Sequence, residues 1–271
     1  MGRDPLNAKG RVAQLWVRLA RRELDEAKAD IYELLEDLPN DANVQLGLTR
    51  IYRVLGDLDN ARLLLRRAGE DAGFNADQLY EIAREQLSLG DASKAQWAIT
   101  KVLNGNPRHM DALAYRVRVL LALDRLEDAK VALTELQDVY PQRSETHFVA
   151  GDLLRAGGDR AAAVAEYELA YQAAPSRITV RHLFEAQVEI DDVAAALKTI
   201  RVWILLHPDD LDSRHNLAEK LISVGQYRSA QLVYEGILKR SKNNLLLLNN
   251  LAFVAQKLGD ERALAYATKA V

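Results

Sequence analysis

Cysteine is absent from all 271 residues, which removes disulfides, thiolate metal sites and cysteine nucleophiles at once. Aromatic side chains supply only 6% of the chain, whereas apolar residues supply 49% and are rich in alanine and leucine. That balance suits helices packed closely on one another rather than a core of large rings. There is no basic surplus: Lys and Arg number 36 against 39 Asp and Glu, a net charge of −3, which argues against a general nucleic-acid binder. No segment approaches the roughly 20 consecutive apolar residues that span a bilayer. Glycine-rich phosphate loops, nucleophile elbows and Ser/His/Asp groupings are also missing, so neither catalysis nor a cofactor is expected. The opening MGRDPLNAKG carries no secretion signal, and Leu6 stands where myristoylation prefers serine or threonine. An excised fragment could begin this way, so the compartment stays open.

What is present is periodic. Ala27, Ala61, Ala95, Ala129, Ala163, Ala196, Ala230 and Ala263 are separated by steps of 34 or 33 residues. That period is one helix–turn–helix unit, which cannot bury its apolar face without a neighbour. Twelve residues after the alanine comes Pro39, Pro107, Pro141, Pro175 or Pro208, with Gly73 and Lys242 taking the place twice. Proline donates no backbone hydrogen bond and pushes its predecessor out of the helical region, so it separates repeats. Just before the alanine a Gly-Asp pair recurs as Gly56-Asp57, Gly90-Asp91, Gly158-Asp159 and Gly259-Asp260. The glycine is expected to end one helix in a left-handed conformation and the aspartate to cap the next. Leu48, Ile51, Tyr52 and Leu55 fall at helical spacing between such marks.

The segment from His147 to Pro175, HFVAGDLLRAGGDRAAAVAEYELAYQAAP, resembles a tetratricopeptide repeat (TPR). Ala150 and Gly151 occupy positions seven and eight of 34, Ala163 position twenty, Tyr167 twenty-four, Ala170 twenty-seven and Pro175 thirty-two. Position eight is Thr49, Ala83, Val117, Phe184, Ala218 and Ala252 elsewhere. The resemblance implies an all-α, right-handed superhelical solenoid of about eight repeats in a single domain, residues 1–271. The units are 8–41, 42–75, 76–109, 110–143, 144–176, 177–210, 211–244 and 245–271. First helices are expected at 9–21, 43–55, 77–89, 111–123, 145–157, 178–190, 212–224 and 246–258. Tyr52, Trp97, Tyr167, Trp203 and Tyr234 read as core residues.

The family geometry also implies that positions two, five, nine and twelve of each first helix face a concave groove. Position nine is Trp16, Arg50, Arg84, Arg118, Asp152, Glu185, Glu219 and Phe253 in order. The groove is therefore expected to be basic in its N-terminal half and acidic in its C-terminal half. Arg50, Arg84 and Arg118, with Tyr80 and Phe148 at position five, could form an anion-binding stripe. Equally, Asp77, Asp111 and Glu145, each 27 residues beyond an arginine, could make inter-repeat ion pairs with it. The lysine and asparagines of chaperone-tail receptors are lacking at positions five and nine; Asn216, Asn249 and Asn250 are isolated. His182 with Glu185 and His215 with Glu219 each share a helix face, but a solvated wall is expected there rather than a metal site. His109, His147 and His207 have no partner constellation.

The two 33-residue steps mark a short junction at Pro175-Ser176-Arg177, where Phe184 should open the packing, and a short turn before Ala263. The last repeat is strongly apolar, and its end is expected to be covered by self-association, by further residues or by a partner. Its segment NNLAFVAQKLGDERALAYATKA also resembles the final repeat of bacterial TPR lipoproteins of exopolysaccharide and exosortase systems. These resemblances together imply a non-catalytic protein-binding scaffold in the cell envelope, in the periplasm or anchored to the outer membrane. A cytoplasmic adaptor for an acidic peptide, or a direct binder of anionic polysaccharide, would account for the same arginines.

Overall fold

The computed structural model describes residues 8–241 and 244–270, and among these there are sixteen helices and no strand. The first helices of the repeats are α1 (Ala8–Ala20), α3 (Ala42–Val54), α5 (Ala76–Ser88), α7 (Met110–Ala122), α9 (Ser144–Ala156), α11 (Arg177–Glu189), α13 (Leu211–Ser223) and α15 (Leu245–Leu258). The second helices are α2 (Leu24–Asp37), α4 (Leu58–Asp71), α6 (Ala92–Gly105), α8 (Leu126–Val139), α10 (Arg160–Ala173), α12 (Val193–Leu206), α14 (Tyr227–Leu238) and α16 (Ala263–Lys269). Each first helix begins one residue before the position expected from the repeat phase.

The helices gather into two compact units, one ending at Gly157 and the other starting at Gly158. In the first, α1–α2, α3–α4, α5–α6 and α7–α8 pack as pairs, and the first helices α1, α3, α5, α7 and α9 also pack side by side. In the second, contact runs between consecutive helices from α10 to α16. The repeating alanine explains the close pairing. Ala27, Ala61, Ala95, Ala129, Ala163, Ala196 and Ala230 are all buried, whereas Ala263 on the short α16 is only partly covered. Around them the first unit holds three apolar clusters, with Leu48, Ile82 and Leu136 at their centres. The second unit holds one, which takes in Phe184, Ile200, Tyr234 and Leu251. Phe184 is thus accommodated inside the core at the small-residue position.

The inter-helix turn is uniform although its sequence is not. A left-handed residue occurs at Gly56, Gly90, Gly158, Gly225 and Gly259, and also at Arg22, Asp124 and Asp191. Three repeats therefore make the turn with a side chain that crowds the carbonyl oxygen. The following aspartate caps as expected at Asp57 and Asp159, whose carboxylates accept from the backbone N–H of Asn60 (3.2 Å) and Ala162 (3.0 Å). Asp91 does not cap; it holds the Lys94 ammonium at 3.1 Å instead. At the shortened junction Ser176 and Thr179 cap α11 reciprocally, each side-chain oxygen accepting from the other's N–H, at 3.1 and 3.0 Å.

Of the aromatics read as core, Tyr167, Trp203 and Tyr234 are buried and Tyr52 is partly so. Trp97 is the exception, at 51% exposure. It lies two residues, about 200° around the helix, from the buried Ala95, so it turns away from the core. In the last repeat Leu247, Leu251 and Val254 are buried, while Leu245, Leu246 and Leu264 are exposed. Lys242 and Val271 lie outside the described residues.

The turn yields a stability test. Arg22→Gly removes left-handed strain of about 1–2 kcal/mol and loses part of that to unfolded-state entropy. A net gain of about 1 kcal/mol is expected in equilibrium urea unfolding, whereas Gly90→Val should lower stability by at least as much.

Candidate partner-binding faces

In the first unit the side-by-side packing of α3 and α5 sets Arg50 against two acids of the next repeat. Its Nε donates to Glu85 Oε1 at 2.6 Å, and its other end pairs with Glu81. Glu81 also accepts from Arg84 Nη1 at 2.8 Å, and Arg53 Nε stands 3.6 Å from Glu85. Three guanidinium groups thus share two carboxylates, of which Glu85 is buried. Burial alone would lower the Arg50 pKa, but the bonds and charges of Glu85 and Glu81 outweigh it and raise it. Arg118 Nε lies 3.6 Å from Asp152 Oδ2 across α7 and α9.

Arg50 and Arg118 are therefore braces between neighbouring helices, whereas Arg84 holds Glu81 of its own helix, and none of the three is seen to use Asp77, Asp111 or Glu145. Position two lies seven residues before the level of position nine, about 10 Å along a helix axis. Glu81, Glu85 and Asp152, at positions six, ten and nine, stand within one turn of that level. The brace was anticipated; its acids were misidentified because equal spacing in sequence is not equal height in the stack.

Aromatic rings lie beneath the same arginines. The Arg84 guanidinium is 5.8 Å from the Tyr80 ring centre, and that of Arg118 is 5.6 Å from Tyr115 and 5.9 Å from Phe148. Tyr80 meets Tyr115 edge-on at 5.7 Å and His109 at 5.9 Å. Tyr115 was missed because it sits one position after the expected groove-facing residue. Its ring is buried and its hydroxyl reaches the Arg84 carbonyl at 3.5 Å. His109 also has a local role, its Nδ1 accepting from the Ala112 N–H at 3.3 Å to cap α7. Burial and then the Asp111 charge push the Tyr80 phenol up to about 12, against the opposing pull of Arg84.

The second unit offers a recess of about 730 Å³ bordered by α11, α13 and the start of α15. Arg177, Arg181, Glu185, His215, Ile178 and Leu246 line it. Glu185 stands 3.8 Å from Arg181, and Glu219 Oε1 3.1 Å from His215 Nε2. This wall carries both signs rather than the acidic character read from position nine, because position five contributes Arg181 and Arg177 stands at the start of the same helix. His182 lies against the Tyr167 ring at 5.7 Å, separate in role from Glu185. Among the described residues no group of three or more His, Asp or Glu is placed to hold a metal ion. Below the recess, buried Asp210 accepts from the Trp203 indole at 2.7 Å and from the Ser213 hydroxyl at 2.9 Å. Burial would raise its carboxyl, yet these bonds and the Arg177 charge hold it below the usual range. Trp203 in turn stacks on His207 at 3.7 Å.

Two measurements check this geometry. Arg50→Ala leaves Glu81 and buried Glu85 short of charge and should cost about 2 kcal/mol or more in urea unfolding. Arg118→Ala, at a more exposed and looser pair, should cost about 1 kcal/mol or less. Arg84→Ala should move the Tyr80 phenol still higher by removing the cation that favours the phenolate, read as the difference between spectrophotometric titrations of variant and wild type.

No protein-family model matches the chain, and no curated protein matches it in sequence. Solved structures do match. A thermophilic TPR protein of Thermus thermophilus aligns over 67% of this chain and 100% of its own, with 24% identity and a TM-score of 0.57. PilW, a widely conserved type IV pilus biogenesis factor, aligns over 70% of this chain and 90% of its own, with 18% identity and a TM-score of 0.55. A tetratricopeptide repeat protein from Parabacteroides merdae aligns over 84% and 91%, with 17% identity and a TM-score of 0.50. Among the described residues, sixteen helices paired at an alanine that is buried in seven of the eight repeats, and turned through a left-handed residue, have the fold of the tetratricopeptide repeat proteins.

Proposed function

We propose that this chain is a non-catalytic scaffold that binds a protein segment on the faces of its first helices. The observation that carries the reading is the recess between α11, α13 and α15. Its Arg177, Arg181 and Glu185 stand beside Ile178 and Leu246, a mixture that matches a polypeptide with charged and apolar side chains. A uniform polyanion fits it less well, and in the first unit Arg50, Arg84 and Arg118 already hold acids of the chain itself. The cellular setting is proposed to be bacterial envelope assembly or polysaccharide export, on the resemblance of the last repeat.

The test is partner capture by crosslinking in the native host, comparing the wild type with Arg181→Glu and with Arg84→Glu/Arg118→Glu. Arg50 is left intact because reversing it beside buried Glu85 would report folding rather than binding. Selective loss of one partner from equally helical variants is expected, and that partner should co-fractionate with the envelope. Unchanged partners in both variants would move recognition off these faces. Salt-sensitive retention on alginate oligomers, lost in the arginine variants, would make the ligand a polysaccharide instead. Recovery of the native protein wholly in the cytosol would remove the envelope setting.

A further inference from the structure

On the opposite side of the first unit, the second helices α4 and α6 flank a recess of about 430 Å³ that the repeat pattern does not call for. Phe74, in the turn after α4, is 88% exposed, and Trp97 on α6 stands across from it. Lys101 holds its ammonium 4.0 Å from the Trp97 ring centre and 5.3 Å from that of Phe74. Arg62, Arg66 and Lys94 add positive charge, against Glu70 and Asp91. Lys94 is paired with Asp91, but among the described residues Arg62, Arg66 and Lys101 make no ion pair. The arginines of the first-helix face are engaged by acids of the chain; these outer cations are available.

One further feature speaks of an occupant, and two glycines leave room for it. Gly69 and Gly73 line the recess, and open space surrounds the place where a side chain would stand on either. Gln86, 7% exposed, lines it from α5, and its carboxamide oxygen is buried without a hydrogen-bond partner. An unsatisfied buried acceptor is costly to the free protein and is relieved by a donor from outside. Carboxylates suit the three cations, an apolar side chain suits the two rings, and an N–H suits Gln86. A peptide carries all three. Anionic lipid supplies the charge and the apolar part, but it meets a flat surface better than a recess walled by two helices.

We propose that the α4–α6 recess is a second binding site, for an acidic peptide segment with an apolar anchor residue, used independently of the first-helix faces. Lys101, held between two rings, is positioned for a carboxylate, and the anchor packs on Trp97 and Phe74 over the glycine floor. Exposed aromatics flanked by arginines are the composition from which interface hot spots are built.

The probe is the blocked peptide Glu-Asp-Glu-Leu-Glu-Asp-Glu, with a copy carrying serine in place of leucine. Titration into the whole chain should perturb Trp97 fluorescence and give calorimetric binding that weakens as salt rises. Trp97→Ala and Arg62→Glu/Arg66→Glu should each weaken it by about tenfold or more, as loss of an interface anchor does. These residues are exposed, so unchanged circular dichroism and melting are expected to confirm the fold. Arg84→Glu/Arg118→Glu should leave peptide affinity unaltered, which separates this site from the proposed function. Absence of binding, equal affinity for the serine peptide, or indifference to both outer-face variants would overturn the proposal. So would Trp97-dependent sedimentation with phosphatidylglycerol vesicles in the absence of peptide binding, which would make the face a membrane contact.

Discussion

Two helix backbones meet at a buried alanine in seven of the eight repeats, and the rest of the structure follows from how little each meeting contributes. A methyl group hides only a small area from water, so a single pair of helices cannot hold itself together at about 25 cal/mol per Å². The apolar clusters therefore run from one repeat into the next, with Leu48 beside Ile31 and Leu64, and Ile82 beside Ala112 and Tyr115. Within each unit, and among the described residues, helices in substantial contact are no more than two elements apart in the chain. Stability of this kind accumulates from neighbour to neighbour.

That dependence on neighbours explains where the charges go. Once α3, α5, α7 and α9 lie side by side, long side chains at one level of the stack reach the adjoining helix before they reach solvent. Arg50 and Arg118 are used in this way, and Glu85 is buried by it. No two second helices are in substantial contact among the described residues. Among the described residues Arg62, Arg66 and Lys101 consequently remain unpaired beside Trp97 and Phe74, and the outer side of the first unit has more uncommitted binding chemistry than its inner one.

The turn between helices separates what a residue is from what its place demands. Eight turns adopt the same left-handed conformation, although glycine supplies it in five and Arg22, Asp124 and Asp191 supply it in three. The surrounding helices over-determine the backbone there, and a strained residue persists where packing leaves no alternative. Glycine was a readable mark for four of these turns; Gly225, which is followed by Gln226 rather than aspartate, and the three non-glycine turns lacked the pair that gave the others away.

Alanine phase, proline spacing and apolar periodicity determined the helices, their limits to within a residue at the start of each repeat, and the repeat that relates them, because these are local properties of a chain with a fixed rise per residue. Tyr80 and Arg84, four residues apart on α5, could be read as neighbours for the same reason, while Arg118 beside Phe148 was expected only through the repeat resemblance. Which acid an arginine holds could not be read, since that depends on the relative height of two helices that only packing sets. Glu81, Glu85 and Asp152 therefore replaced Asp77, Asp111 and Glu145, and Arg181 gave mixed charge to a wall read as acidic from one position. Tertiary structure alone also decided that Trp97 faces solvent. A tryptophan between alanines reads as core, but its burial was settled by rotation about the α6 axis, which Ala95 and Ala98 fixed when they closed on α5.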